Sequence, residues 1–271
     1  MNAPKTTPIA LTIAGSDSGG GAGIQADIKT FSALGAYGCS VLTALTAQNT
    51  CGVRGVMEVE ASFVRAQMDA VFEDISVHAV KIGMLGCASV IEAVADGLAR
   101  WQPAWVVLDP VMVAKSGDRL LAADAVAALR DKLLPLASLV TPNLPEAADL
   151  LGIPMPTERA AMMDAAYQLM GLGVGAVLLK GGHLDDEDSP DLLVQGDDVR
   201  WYEAKRRVTR NTHGTGCTLS AAIAAQLARG CSMPEAVAEA KRYVDGAIAE
   251  ADALAVGNGH GPVHHFHRFW Q

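Results

Sequence analysis

Two glycines and a cysteine stand at the start of an apolar helical pattern. Asn211-Thr212-His213-Gly214-Thr215-Gly216-Cys217-Thr218 runs directly into Leu219-Ser220-Ala221-Ala222-Ile223-Ala224-Ala225. Glycines at a helix start leave consecutive backbone N–H groups unpaired, with the positive end of the helix dipole behind them. That is an anion hole suited to a phosphoryl group in transfer. Cys217 falls in the first turn, where the same field lowers a thiol's pKa and favours the thiolate. Lys180 closes the run Ala176-Val177-Leu178-Leu179-Lys180 and adds a point charge, and the Gly181-Gly182 after it implies close backbone approach. A lysine snorkelling from a sheet edge is the plainer reading of the same residue.

Other candidate residues also follow apolar runs. Gly15-Ser16-Asp17-Ser18-Gly19-Gly20-Gly21-Ala22-Gly23 either admits a ligand against its backbone or is a flexible loop without one. It is not a Walker A loop, which must end in Gly-Lys-Ser/Thr. The stretch 21–26 fits the loose GxGxxA dinucleotide form but lies too far past the preceding run for the tight turn. Gln48 and Asn49 also stand where that fold needs an acid. Two neutral amides can pair with a heterocycle edge, the oxygen accepting and the NH₂ donating, although turn chemistry alone accounts for such a pair. Met84 and Val111 either wall a pocket or belong to the core. Asp109, directly before Pro110, presents a carboxylate able to hold Mg²⁺ water. In Thr141-Pro142-Asn143-Leu144-Pro145-Glu146 two prolines stiffen a segment carrying an amide and a carboxylate three residues apart. A helix start with Pro145 and Glu146 in its first turn explains half of that pattern.

These segments need a scaffold that brings them together. Apolar β-branched runs at 9–14, 40–46, 79–84, 105–109, 138–141 and 176–180 alternate with helical stretches near 22–34, 61–73, 88–100, 122–134, 145–151 and 157–172. Two more helices are expected near 215–229 and 234–254. The runs are continuous rather than alternating, as in strands covered on both faces. The segments 191–195 and 199–209 alternate around Gly196-Asp197-Asp198 and predict an antiparallel hairpin at one end of the sheet. The fold class is therefore α/β, a mostly parallel central sheet with helices on both faces. Ligands in such sheets bind beyond the carboxyl ends of the strands. No composition shift divides the chain, so it reads as one domain over 1–271, with 1–8 as a disordered leader.

Composition narrows the function classes. Among 271 residues, 30 Asp+Glu outweigh 21 Lys+Arg for a net charge of −9, which argues against a dedicated nucleic-acid binder. A local basic patch remains at Lys205, Arg206, Arg207 and Arg210, facing nucleotide phosphates or lying on an exposed hairpin face. No apolar run is long enough for a membrane span, and no signal core precedes the first strand, so a cytoplasmic protein is expected. The five cysteines (39, 51, 87, 217, 231) form no CxxC pair and predict neither a disulfide framework nor a zinc site. His260, His264, His265 and His267 read as a packed tail or a dimer contact rather than a metal cluster.

Taken together the motifs resemble those of the hydroxymethylpyrimidine/phosphomethylpyrimidine kinases of thiamine biosynthesis, within the ribokinase-like superfamily. They are AGSDSGGGAGIQAD (14–27), TALTAQNTCGV (43–53), KIGML (81–85), LDPVMVAKSGD (108–118), TPNLPEA (141–147), LLKGGH (178–183), NTHGTGC (211–217) and GPVHHFH (261–267). The resemblance implies a ribokinase-like three-layer sandwich and a homodimer. It implies phosphorylation of 4-amino-5-hydroxymethyl-2-methylpyrimidine to the monophosphate and then the diphosphate, with ATP and Mg²⁺. By the same resemblance Gln48 pairs with the aminopyrimidine edge, and Gly15, Asp27, Met84 and Val111 surround the ring. Gly214 and Gly216 form the anion hole, Cys217 is the catalytic base, and Lys180, Thr215 and Asn143 meet nucleotide phosphates. Asp109 and Glu146 stand near Mg²⁺, through water. Pyridoxal-type kinases, which share the fold and a GTGC-like turn, and a pyrimidine-sensing domain without turnover are the competing readings.

Overall fold

A computed structural model of the chain describes residues 6–112, 123–184 and 188–270. Residues 113–118 of the 108–118 motif, 1–5 of the expected leader, 122 of the expected 122–134 helix and 185–187 lie outside the described residues.

Nine strands form one sheet in the order β3-β2-β1-β4-β5-β6-β7-β8-β9. They are β1 (Ile9–Asp17), β2 (Tyr37–Asn49), β3 (Gly52–Glu58), β4 (Ala79–Ile82), β5 (Trp105–Leu108), β6 (Leu139–Val140), β7 (Val177–Lys180), β8 (Asp191–Gln195) and β9 (Asp198–Tyr202). Strands β2, β1, β4, β5, β6 and β7 are mutually parallel. Antiparallel strands finish both edges, β3 at one and β8–β9 at the other. The helices are α1 (Gly23–Ala33), α2 (Ala61–Asp74), α3 (Ala88–Trp101), α4 (Ala123–Ala128), α5 (Leu144–Leu151), α6 (Arg159–Met170), α7 (Thr215–Ala228) and α8 (Met233–Ala249).

Side chains alternate along each central strand, and both alternations are buried. Val80, Val106, Leu108, Val177 and Leu179 pack into one core with Val64, Met68, Ile91, Val94, Leu150 and Met162. Ala79, Val107, Leu139 and Leu178 pack into the other with Phe31, Ala221–Ala225, Val237 and Tyr243. This double burial is why the strands read as unbroken apolar runs. Helix α7 is buried from Thr218 to Ala228, and its small side chains let α1 and α8 approach it closely. Its N-terminus therefore points from the interior toward the carboxyl ends of the strands. The chain leaves β1 toward β2 on one side and returns to β4 on the other, so the cleft opens where the strand order reverses.

Three expectations about the elements change. β3 was not expected; it is short of apolar periodicity, and most of its residues are exposed. The second hairpin strand ends at Tyr202 rather than 209. Beyond it the Arg206 guanidinium donates to the carbonyls of Gly182 and Leu184, drawing the segment away from the sheet. The 122–134 helix is α4 followed by a π turn at Leu129–Leu133 and a 3₁₀ turn at Leu134–Leu136, where Pro135 removes an N–H donor. Among the described residues no helix is long and apolar enough to cross a membrane.

Candidate active site

A cavity of about 860 Å³ lies at the carboxyl end of the sheet, and nearly all the candidate residues line it. Its floor is the start of α7. Gly214 caps the helix with φ +76°, and the first bond inside the helix runs from the Thr218 N–H to the Gly214 carbonyl. The N–H groups of Gly216 and Cys217 precede that bond and have no acceptor within the helix. A Cβ on Gly214 would stand 1.9 Å from the Gly21 carbonyl oxygen, and one on Gly23 2.3 Å from the Gly15 oxygen. The two glycine-rich loops thus pack backbone against backbone, as only residues lacking a Cβ can. Thr215 lines the cavity, but its hydroxyl donates to the Thr212 carbonyl at 2.7 Å, so it serves the turn.

The 15–23 loop is organised by Asp17, which motif reasoning passed over. Its carboxylate accepts from the N–H groups of Gly19 (2.8 Å), Gly21 (3.0 Å) and Ala22 (2.9 Å), and it lies 3.1 Å from His213 Nε2. Burial opposes its charge, but the His213 bond and the backbone donors hold its pKa below the usual carboxylate value. An Asp at the head of a glycine run, with donors two to five residues on, was the available signal. The His213 ring also lies 3.3 Å from Gln48 Nε2, and Thr46 Oγ1 donates to Gln48 Oε1 at 3.2 Å. Two register irregularities sit at this place, between Ala14 and Ser16 in β1 and between Ala47 and Gln48 in β2. Such bulges re-aim side chains beside sites. Gly15, Met84 and Val111 line the cavity with Gln48. A Cβ on Gly15 would meet Met84 Cε at 2.6 Å.

Across the floor Lys180 Nζ lies 3.1 Å from Asp109 Oδ1 and 3.9 Å from Glu146 Oε2. Lys180 packs against Gly216, where a Cβ would be 3.4 Å from Nζ. This is a positioned cation rather than a snorkelling one. Thr141 and Ser220 hydroxyls also donate to Asp109, each at 3.2 Å. Burial opposes the Asp109 charge, but Lys180 and Lys81 hold its pKa below the usual value. Glu146 is pushed up to about 7 by burial and by the Asp109 charge, against the pull of Lys180. Asn143 and Glu146 form a capping box on α5: Asn143 Oδ1 accepts from the Glu146 N–H, and Glu146 Oε2 accepts from the Asn143 N–H. The helix-start reading of this segment is correct, and both residues line the cavity as well. Lys241 lines it too, its Nζ 2.6 Å from Asp191 Oδ2; nothing in its helical sequence context marked it.

Two expectations are corrected. The Cys217 sulfur accepts from the Gly23 N–H, so the starts of α7 and α1 converge on it. Even so, burial pushes its thiol up to about 11, with the Asp27 and Asp109 charges adding to burial and Lys81 opposing. Without ligand the group is a thiol, not the expected thiolate, because desolvation outweighs the helix field. Asp27 does not line the cavity. It is fully buried, accepting from Thr12 Oγ1 at 2.6 Å and from Lys81 Nζ at 2.8 Å, and only Lys81 reaches the cavity.

Of the terminal histidines, His264 and His265 are buried in a packed tail, as one reading had it, whereas His260 is exposed and lines the cavity. The Thr218 hydroxyl lies 3.1 Å from His265 Nε2, the Tyr243 hydroxyl donates to the His265 carbonyl, and the His213 N–H donates to the Gly261 carbonyl. Burial drives His265 down to about 3. Among the described residues no cluster of His, Cys, Asp or Glu fits a metal ion. Lys205, Arg206 and Arg207 line the cavity, Arg207 also pairing with Asp245, whereas Arg210 does not line it.

A sequence model of the phosphomethylpyrimidine kinase family matches residues 17–264. The chain belongs to the phosphomethylpyrimidine kinase family. The hydroxymethylpyrimidine/phosphomethylpyrimidine kinase of Escherichia coli (strain K12) is 58% identical over 261 residues, covering 96% of this chain and 98% of that protein. Among solved structures, phosphomethylpyrimidine kinase from Clostridium difficile 630 aligns with TM-score 0.80 at 45% identity, over 89% of this chain and 99% of the other. An ADP complex of Bacillus subtilis pyridoxal kinase aligns with TM-score 0.89 at 39% identity, over 96% and 98%. The fold is ribokinase-like, as the motifs implied.

Proposed function

We propose that this chain uses ATP to phosphorylate 4-amino-5-hydroxymethyl-2-methylpyrimidine and then its monophosphate, yielding the diphosphate used in thiamine biosynthesis. The observation that carries the reading is the meeting of an amide, a thiol and a helix-start anion hole in one cavity, with Lys180 beside them. Gln48, re-aimed by the bulge, takes the aminopyrimidine edge, with Gly15, Met84 and Val111 around the ring. The 5-hydroxymethyl oxygen then faces Cys217. As that oxygen bonds to the γ-phosphorus and the bond to the leaving ADP breaks, its proton passes to the Cys217 sulfur in its thiolate form, the minor form of this buried group. Charge gathering on the γ-oxygens is met by the Gly214–Cys217 backbone and the Lys180 ammonium. The NH₂ end of Asn143, free of the cap, faces the nucleotide phosphates.

Asp109 and Glu146 are hard oxygen donors, but hydroxyl, ammonium and backbone donors already engage them. That suits Mg²⁺, which keeps most of its waters and takes one or two carboxylates besides nucleotide phosphates. When bound, the ion would neutralise phosphate charge. In the second step the acceptor is a phosphate oxygen, already anionic near neutral pH, so no base is needed. The reading includes a cytoplasmic homodimer, supported by the apolar pair that Leu45 and Met57, directly opposite each other, expose on β2 and β3.

Product analysis with ATP and the free pyrimidine tests the assignment. Monophosphate followed by diphosphate is the expected result; ATP left unconsumed favours a sensing domain. The likeness to pyridoxal kinases makes pyridoxal the control substrate, and faster turnover of pyridoxal than of the pyrimidine reverses the assignment. Replacing Gln48 with Leu leaves polar ring atoms unpaired in a closed site, so calorimetry should show the pyrimidine binding weaker by about 1–3 kcal/mol. Unchanged affinity removes Gln48 from the recognition role.

A further inference from the structure

One buried ion pair beneath the cavity has no part in the mechanism above. Lys81 on β4 and Asp27 on α1 are both wholly inaccessible to solvent, with Lys81 Nζ 2.8 Å from Asp27 Oδ2. The Thr12 hydroxyl donates to the same oxygen. Asp27 Oδ1 has no hydrogen-bond partner, and it is the one such buried side-chain atom among the described residues. Burying two charges is costly and often adds nothing to stability, and an orphaned carboxylate oxygen adds to the cost. Stability alone therefore does not explain the pair.

Its position does. The floor of the cavity is lined by both Lys81 and Cys217. Gly83 leaves space above the ammonium, since a Cβ there would stand 2.8 Å from Nζ. We propose that Lys81, held in place by Asp27, is a positioning residue that supplies the positive charge facing the Cys217 sulfur when it ionises, and so serves the first phosphorylation rather than the second. The charged and polar groups around that sulfur are Lys81 from β4, Asp27 and the Gly23 N–H from α1, and Asp109 after β5. Lys81 opposes both carboxylates there, while the Lys180 ammonium stands beyond Gly216 and is paired with Asp109. Asp27 in turn helps keep Lys81 charged: burial works against the ammonium, and Asp27 together with the Cys217 and Asp109 charges outweighs it.

The inference rests on Cys217 acting as the base, and the experiment separates the two. In the double variant Lys81→Met with Asp27→Asn, alkylation of Cys217 by iodoacetamide at neutral pH, followed by mass spectrometry, should slow by about tenfold, because the cation facing the sulfur is gone. A merely structural pair predicts no such slowing. The double variant removes both charges and leaves no unpaired ion. It should lose at least about thirtyfold more rate in the first phosphorylation than in the second, and Lys81→Arg should recover most of that difference. An unchanged alkylation rate in the double variant, or equal losses there in both steps, overturns the role of Lys81. If Cys217→Ala itself fails to separate the two steps, the base assignment falls instead.

Discussion

Cys217→Ala should lower the rate of the first phosphorylation by about 10²–10⁴-fold, the usual contribution of a positioned general base, and leave the second within a small factor of wild type. The asymmetry follows from the acceptors. A hydroxymethyl oxygen must lose a proton as it bonds to phosphorus, whereas a phosphate monoester oxygen has none to lose near neutral pH. Timed quantification of mono- and diphosphate from each starting compound checks it, and equal losses in both steps would sink the base assignment.

The thiol's protonation adds a pH signature. With the group near 11, the thiolate amounts to about one part in 10⁴ at pH 7 and grows tenfold per unit. A base of high pKa is a strong proton acceptor, which offsets part of its scarcity. The sign is fixed: the first step gains rate as pH rises, with log rate climbing at a slope near one between about pH 7 and 9. The second step should be flat there, since the phosphate acceptor loses its proton near pH 6.

Gly214→Ala is expected to damage both steps together. The new methyl would stand 1.9 Å from the Gly21 carbonyl oxygen, and the residue would hold φ +76°. Left-handed strain costs about 1–3 kcal/mol, and the clash forces the two loops apart. A displacement of about 1 Å at the anion hole costs on the order of 10²-fold in rate. Calorimetry should show Tm lower by about 2–4 °C for each kcal/mol lost. Wild-type rates in Gly214→Ala would show that the floor of the cavity does not hold the transferring group.

The contrast between these variants marks what was legible in the residues. Gly214, Gly216 and Cys217 announce an anion hole because the requirement is local: unpaired N–H groups at a helix start need small residues in consecutive positions. The parallel strands were legible for a similar reason, since burial on both faces writes itself as continuous apolar runs. Ionisation was not legible, because the Cys217 thiol answers to Asp27, Lys81 and Asp109 on three other elements and to the loss of water. Asp27 carries the motif's expected acid but faces Lys81 rather than the cavity, a matter of which side of α1 meets β4. Gln48 was identified by type, yet the bulge that aims it comes from its pairing with β3, a strand too exposed and polar to show a pattern. Asp17 was missed because its side chain bonds to backbone, and backbone donors carry no residue identity.

The contact between Asp17 and His213 spans 196 residues of chain, and His213 is in turn tied to Gly261 and Thr218 to His265. The site is thus closed by segments from the first strand, the α7 turn and the tail, all distant in sequence. Contacts of such span form only after most of the chain's loop-closure entropy has been overcome. A folding intermediate with much of the sheet in place still lacks a finished anion hole. Completion of the anion hole is thus a property of the whole chain rather than of the α7 turn that carries it.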